Sequence, residues 1–397
     1  MKGSTFIIVT IILFSYIVIA IMIYVGIARL KENLDSRKLK EIEEGFGKLI
    51  LKHLDNVSEG EDIPTNEVQV VGQCIDGAMY LKVFSEVCIE YSKNNGTEVV
   101  KRYILNFEKK LYKLFFKVDR KSIMKFSYYI YLIGEFRMEN NMIIKKLLDN
   151  LNSESIYIRV NSLKALSKIG NINGFIDALR IISLRGLYFN EKVIIDSIDS
   201  FEGNKDELDS IILSEINNYT DDMTNIVINH FSNNKYKKCS NTLLKMINNK
   251  KTSKEVIIRI VRYFEEVYNS DAQDSLINLL DSSYWETRAV TSRAMIKYDV
   301  NKAEEKLKNL VSDRNYHVRY NAAMTLISRG KGDRVVNEII NGEDKYARDI
   351  MVYAMFNNNL INYDEYMHIT AFKEVDKSFA EPSYEAVNNN QRQEALT

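Results

Sequence analysis

The chain has 397 residues, of which 46% are hydrophobic and 27% are charged, with equal numbers of basic and acidic side chains. Zero net charge argues against general nucleic-acid binding, which depends on an excess of lysine and arginine. The sequence contains only 16 glycines and two prolines, Pro64 and Pro382. So few helix breakers predict an all-α chain, because strand-rich folds need many glycine and proline turns.

Residues 6–28, after a short N-terminal tail of residues 1–5, form an uncharged apolar run. A helix of this length reaches across a hydrocarbon core of about 30 Å, so the run predicts a single transmembrane helix. A cleaved signal peptide is the competing interpretation. The run exceeds the roughly 7–15 apolar residues of a signal sequence and no A-x-A cleavage site follows it, which favours the anchor.

The basic residues around the apolar run predict its orientation. Only Lys2 precedes the run, whereas five cations follow it within a few turns. These are Arg29, Lys31, Arg37, Lys38 and Lys40. Because positive charge is retained on the cytoplasmic side, we expect a cell-membrane protein whose large C-terminal part lies in the cytoplasm.

The chain after the membrane divides into four predicted segments. Residues 29–54 carry an amphipathic stripe and predict a juxtamembrane helix, and the acidic, proline-ended residues 55–64 predict a linker. Helical periodicity resumes near Thr65 and continues to about Tyr366. Residues 367–397 are polar without an apolar period, which predicts a disordered tail.

A basic stretch with interleaved aromatic residues lies early in the helical region. Its cations include Lys101, Arg102, Lys109, Lys110, Lys113, Lys117, Arg120 and Lys121. A basic amphipathic helix near a membrane anchor is typical of binding to anionic lipid. The same stretch fits an acidic partner, or the solvated face of an ordinary helix, and the sequence leaves these alternatives open.

An internal repeat occupies most of the helical region. Four segments superpose at Arg159, Arg288, Arg319 and Arg348, with small or apolar residues at +4, +6 and +7. Weaker copies place positions 125, 194, 224 and 257 in the same frame, so the period is 29 to 35 residues. Another short amphipathic helix and a polar turn precede each strong copy. Such helical hairpins bury their apolar faces only by stacking on neighbours.

The pattern of an Asp-containing turn, V-R-x-x-A-x-x-A-L and then glycine resembles HEAT repeats, including those of phycobilisome-lyase type. The best match is Asp313 with Arg319, and the resemblance covers about residues 120–360. It implies an α-solenoid, a superhelix of about eight hairpins. It also implies a ladder between repeats, formed by Arg159, Arg288, Asp313, Arg319 and Arg348. Serines stand at the aspartate site before Arg159 and Arg288, which puts a complete ladder in doubt. Binding of an anionic ligand is the alternative role for these arginines.

Aromatic residues cluster just before the repeat arginines. They are Tyr157, Tyr284, Trp285, Tyr316 and Tyr346. Along a solenoid they would form a row at one edge, and rows of tyrosine and tryptophan are typical of protein interfaces. Local packing at the turns is the alternative explanation.

Catalytic signals are weak. Cys74, Cys88 and Cys239 form neither a CxxC pair nor an even-numbered framework, which is typical of buried thiols in a reducing compartment. The four histidines are far apart, and no metal-binding, phosphate-binding or GxSxG motif is present. We therefore expect no enzyme, metal or cofactor, unless distant residues converge in the fold.

Solenoids usually present long surfaces for protein binding. The predicted function is a scaffold or adaptor that binds a membrane-associated protein at the cytoplasmic membrane face. Resemblance to bacterial membrane-anchored HEAT proteins implies an accessory subunit of an envelope glycosyltransferase or polysaccharide system. The alternatives are a glycosylase- or lyase-like HEAT enzyme, a nucleic-acid-binding module, and an anionic-lipid surface-binding module.

Overall fold

The computed structural model describes residues 2–117, 122–328, 330 and 333–371. The regular secondary structure of the described residues is helical, with no strand among them. The chain forms two compact units, which we name the N-unit, ending at Ser214, and the C-unit, beginning at Glu215. The predicted helical region 65–366 is therefore divided, although the sequence repeat runs through the boundary without a break.

The N-unit contains twelve α-helices among its described residues. They are α1 (Lys2–Ile42), α2 (Lys48–Ser58), α3 (Thr65–Cys74), α4 (Ala78–Asn95), α5 (Thr97–Leu105), α6 (Glu108–Lys117), α7 (Ile123–Glu135), α8 (Asn141–Asn150), α9 (Ile156–Ile169), α10 (Ile172–Leu184), α11 (Glu191–Asp199) and α12 (Lys205–Ser214).

The described part of the C-unit contains ten α-helices, joined in places by short 3₁₀ turns. They are α13 (Asp221–Asn233), α14 (Ser240–Ile247), α15 (Lys254–Glu266), α16 (Gln273–Leu279), α17 (Trp285–Ala294), α18 (Val300–Leu310), α19 (Tyr316–Ile327), α20 (Arg334–Asn341), α21 (Lys345–Asn357) and α22 (Tyr363–Ala371). Residues 372–397, most of the predicted tail, lie outside the described residues.

The first helix is continuous from Lys2 to Ser58, because a π-helical turn at Glu43–Gly47 joins α1 to α2 without a break. The described part of the predicted N-terminal tail, the apolar run and the juxtamembrane helix therefore belong to one helix. The predicted linker, residues 55–64, is helical as far as Ser58. The helix extends because Val57 is buried and the Tyr91 hydroxyl donates a hydrogen bond to the Asp55 carboxylate over 3.2 Å.

This first helix is long and apolar enough to cross a membrane, and none of its most apolar stretch is buried. From Leu13 to Gly45 no side chain is buried. Burial begins at Phe46, whose ring packs edge-on against Tyr80 of α4 at 5.1 Å. The helix therefore projects from the N-unit and joins its core only through the last turns.

Two layers of helices build the repeat part of the N-unit. Helices α7, α9 and α11 pack side by side, and α8, α10 and α12 form the second layer. Contacts of α9 with α8 and α10 hold the layers together. At the closest approach, a Cβ placed on Gly134 of α7 would lie 2.8 Å from the Cα of Ala165 in α9.

The C-unit has the same arrangement. Helices α13, α15, α17, α19 and α21 pack in sequence, with α14, α16, α18 and α20 each packed against the following helix of that layer. The repeat part of the N-unit and the C-unit are therefore stacks of helical hairpins, as the sequence repeat predicts.

The sequence register coincides with the structural repeat. Arg159, Arg288, Arg319 and Arg348 are each the fourth residue of their helix, and positions 194, 224 and 257 are the fourth residues of α11, α13 and α15. Position 125 is the third residue of α7. The polar turns before these helices supply N-caps in several copies, since the side chains of Asn315 and Asp344 accept hydrogen bonds from the first helical N–H groups.

Candidate functional site

The repeat arginines close the turns that precede their helices. The Nη1 atoms of Arg159, Arg288 and Arg319 each donate to a backbone carbonyl six residues earlier, at 2.7, 2.7 and 2.9 Å respectively. Each also donates to the following carbonyl, at 3.1 to 3.2 Å. Three of the four arginines are thus engaged by the backbone of their own hairpin, which leaves little of them for an anionic ligand.

Arg288 also links successive repeats, through a carboxylate. Both the Nε and Nη2 atoms of Arg288 lie 2.8 Å from the Asp313 carboxylate, whose side chain is only 8% exposed. The sequence prediction instead grouped Asp313 with Arg319. In the structure, the Arg319 guanidinium donates a hydrogen bond to the backbone carbonyl of Asp313. The aspartate that pairs with Arg288 therefore follows it by 25 residues in the sequence, whereas the predicted pairing had the aspartate six residues before its arginine.

The next position of the ladder follows the same spacing. Asp344 lies 25 residues after Arg319, and a hydrogen bond from Ser312 holds the pKa of the Asp344 carboxyl below its usual range, with Arg319 contributing. The residue 25 positions after Arg159 is Leu184, which has no carboxylate to pair with it. The guanidinium of Arg348 lies 3.5 Å from the carboxylate of the adjacent Asp349. The ladder is consequently partial.

A largely exposed aromatic surface crosses three neighbouring helices in one layer of the C-unit, α17, α19 and α21. We name it the aromatic strip, and it comprises Tyr284, Trp285, Tyr316, His317, Tyr320, Tyr346 and Tyr353. The Trp285 and His317 rings are stacked, with centroids 6.0 Å apart and an interplanar angle of 22°. Tyr316 and Tyr320 are stacked at 6.0 Å and 11°.

Further contacts extend the strip in both directions. Tyr320 contacts Tyr353 with ring centroids 6.0 Å apart. The Arg319 guanidinium lies 6.0 Å from the ring centroids of both Tyr316 and Tyr346. At the other end the Lys254 ammonium lies 5.4 Å from the Tyr284 ring. Ring and cation contacts thus position the side chains before any partner binds.

The rings of the strip remain available to a partner. The exposed tyrosine and tryptophan rings range from 37% for Tyr353 to 72% for Tyr346, and Tyr320 is half-buried. Burial raises the pKa of the Tyr316 hydroxyl, and the neighbouring Tyr353 and Tyr320 raise it further. The hydroxyl therefore stays protonated near neutral pH, and it offers a neutral hydrogen-bonding group at the edge of an apolar surface.

Four of the five aromatic residues predicted from the sequence belong to the strip. The fifth, Tyr157, lies in the N-unit and is 70% exposed. Sequence reasoning missed His317, Tyr320 and Tyr353. Helical spacing carried a signal for one of them, because Tyr316 and Tyr320 are four residues apart and share one helix face.

The predicted basic stretch occupies two helices, not one. Lys101 and Arg102 lie on α5, and Lys109, Lys110, Lys113 and Lys117 lie on α6. The chain turns between the helices where Phe107 is buried. Lys110 pairs with Asp76 at 2.5 Å, and Arg120 and Lys121 lie outside the described residues.

Other features of the described residues contribute less chemistry. A groove of about 890 Å³ between α4 and α7 has lysines and glutamates in equal number on its walls. No group of three His, Cys, Asp or Glu side chains in the described chain could hold a metal ion. Cys88 is fully buried, and its burial raises the pKa of the thiol, which makes it a poor nucleophile.

The stacked hairpins and the strip define a helical-repeat protein with an exposed aromatic surface. No family model and no curated protein matches the chain. Among solved structures, it is similar to the complex of CpcE and CpcF of phycocyanin lyase from Nostoc sp. PCC7120, at 13% identity. The match covers 72% of this chain and 92% of that chain, with a TM-score of 0.23.

Proposed function

We propose that this chain is a membrane-anchored scaffold of HEAT-like repeats that binds a protein partner at the cytoplasmic face of the membrane. The observation that carries the proposal is the aromatic strip, a set of pre-positioned and partly exposed rings on three successive helices. Association with an envelope glycosyltransferase, which the family resemblance implies, is one identity for this partner and stays a prediction.

The composition of the strip favours a protein ligand. Tyrosine and tryptophan dominate the residues whose truncation weakens protein interfaces, together with arginine. Aromatic rings with two side-chain torsions lose little conformational entropy on binding. The contacts among the rings and with Arg319 reduce that loss further, because the side chains are already ordered.

Tethering supports the same function. The projecting first helix would hold the repeats close to a partner in the same bilayer, which raises their effective concentration without new contacts. The arrangement suits a subunit that acts on one membrane-associated partner.

Lysine substitutions in the first helix test whether it anchors the chain in the membrane. Replacing Ile17 and Ile21 with lysine is expected to release the full chain from carbonate-washed membranes, because each central lysine costs about 3 kcal/mol of insertion free energy. Replacing the same residues with leucine should leave the chain in the membrane. Wild-type protein found in the soluble fraction, or an N-terminal tag lost by cleavage, would contradict the anchor.

A second test examines the strip. The Trp285→Ala and Tyr316→Ala double variant is expected to weaken capture of the partner from detergent-solubilised membranes at least about tenfold, measured by quantitative mass spectrometry. The control replaces two exposed tyrosines outside the strip, Tyr188 and Tyr363, which are 77% and 62% exposed, with alanine. Equal capture by the two double variants would show that the strip is not the interface.

A further inference from the structure

A cationic surface on the N-unit is separate from the aromatic strip. Five cations of α5 and α6 are exposed and make no ion pair with any described acid. They are Lys101, Arg102, Lys109, Lys113 and Lys117. Lys109, Lys113 and Lys117 are spaced four residues apart, so they form one stripe along α6. We name these five residues the basic surface.

Apolar side chains are exposed beside these cations. Leu105, at the end of α5, is 62% exposed, and Phe116, between Lys113 and Lys117, is 36% exposed. Met142 of α8 is also exposed, and it receives a hydrogen bond from the Tyr112 hydroxyl on α6. The mixture of free cations with apolar side chains complements a ligand that carries acidic and apolar groups on adjacent faces.

We propose that the basic surface binds an acidic amphipathic helix of a protein partner, and not the membrane surface. The reason lies in the geometry of the first helix, and this step depends on the proposed membrane span. The exposed stretch from Arg29 to Gly45 corresponds to about 25 Å of helix. Helix α5 packs on α2, which follows that stretch. Lys101 and Arg102 of α5 are therefore attached beyond a helical stretch longer than the screening length of about 8 Å at physiological salt.

The joint between the first helix and the repeats is packed on α4, which keeps the basic surface from folding back to the lipid. Gly47 lies against α4, and a Cβ placed on it would be 3.4 Å from the Val83 side chain. Phe46 and Tyr80 pack at 5.1 Å across the same joint. Helix α4 also contacts the end of α1. The projecting helix thus acts as a spacer, and the partner must present its acidic helix at that height above the bilayer.

The test uses the full chain in phosphatidylcholine nanodiscs and a fluorescent probe peptide, an amphipathic helix with a glutamate face and a leucine seam. Fluorescence anisotropy should show saturable binding that weakens as salt is raised. The triple variant Lys109→Glu, Lys113→Glu and Lys117→Glu should bind the probe about tenfold more weakly. A matched triple variant reverses Lys93, Lys164 and Lys192, exposed cations of α4, α9 and α11, and should change the affinity less than about twofold.

Adding phosphatidylserine to the nanodiscs separates protein from lipid as the ligand. If the spacer holds the basic surface away from the bilayer, the probe affinity should not change. Loss of probe binding on adding phosphatidylserine would overturn the proposal in favour of a lipid surface. Equal binding by the two triple variants, or no binding at all, would also overturn it. A chain that does not enter nanodiscs would refute the anchor alone, because the probe titration then runs on the free protein.

Discussion

Replacing Phe84 with alanine is expected to lower the free energy of unfolding of the N-unit by about 4 kcal/mol. The Phe84 side chain is fully buried. Its ring contacts those of Tyr103, Phe107 and Phe136, with centroids 6.0, 5.4 and 5.9 Å away. Truncation removes the buried area and leaves a cavity that three rigid rings fill poorly.

Urea unfolding of the full chain in mild detergent, followed by far-ultraviolet circular dichroism, measures this loss. Phe116→Ala is the matched control, and it should cost less than about 1 kcal/mol because its ring is partly exposed. The single tryptophan, Trp285, lies in the C-unit, so its fluorescence reports that unit separately. Equal midpoints for the two alanine variants would contradict the described core.

Replacing Gly134 with valine is expected to cost about 3 kcal/mol. A Cβ at this position would lie 2.8 Å from the Cα and 3.1 Å from the Cβ of Ala165. The nearest obstacle is backbone, so α7 and α9 must separate to admit the new side chain. Because these helices belong to successive hairpins, the substitution tests the stacking of repeats directly.

The control for this substitution is a glycine at which an added Cβ would contact no neighbouring atom. A Cβ on Gly72 of α3 would have no atom within 4 Å, so Gly72→Ala should stabilise the chain by about 0.5–1 kcal/mol through helix propensity. The same urea titration compares both variants. A Gly134→Val chain as stable as the wild type would mean that α7 and α9 do not approach closely.

The repeat was predictable from the sequence because burial enforces its period. The fourth position of each second helix recurs at 159, 288, 319 and 348 since the hairpins stack with similar geometry. The end of the first helix was less predictable. Asp55 and Asn56 suggest a loop, yet a hydrogen bond from the distant Tyr91 and the burial of Val57 keep the helix intact.

The contacts between repeats could not be predicted from the sequence. The sequence grouped Asp313 with Arg319, six residues later, in a ladder between repeats, but the Asp313 carboxylate pairs with Arg288 of the preceding repeat. The aromatic strip is similar, since His317 and Tyr353 join it through rings on neighbouring helices. Such pairings depend on how two hairpins pack, and no single helix encodes them. The division after Ser214 also has no local signal.

We propose that the partner binds the aromatic strip of the anchored chain. Site-specific photo-cross-linking in intact cells tests it most directly, with benzoylphenylalanine in place of Tyr346 or, for comparison, Tyr188, which are 72% and 77% exposed. We predict a discrete cross-linked product from the Tyr346 position in the membrane fraction and none from the Tyr188 position. Products of equal yield at both positions, or a product at Tyr188 alone, would show that the partner does not bind the strip.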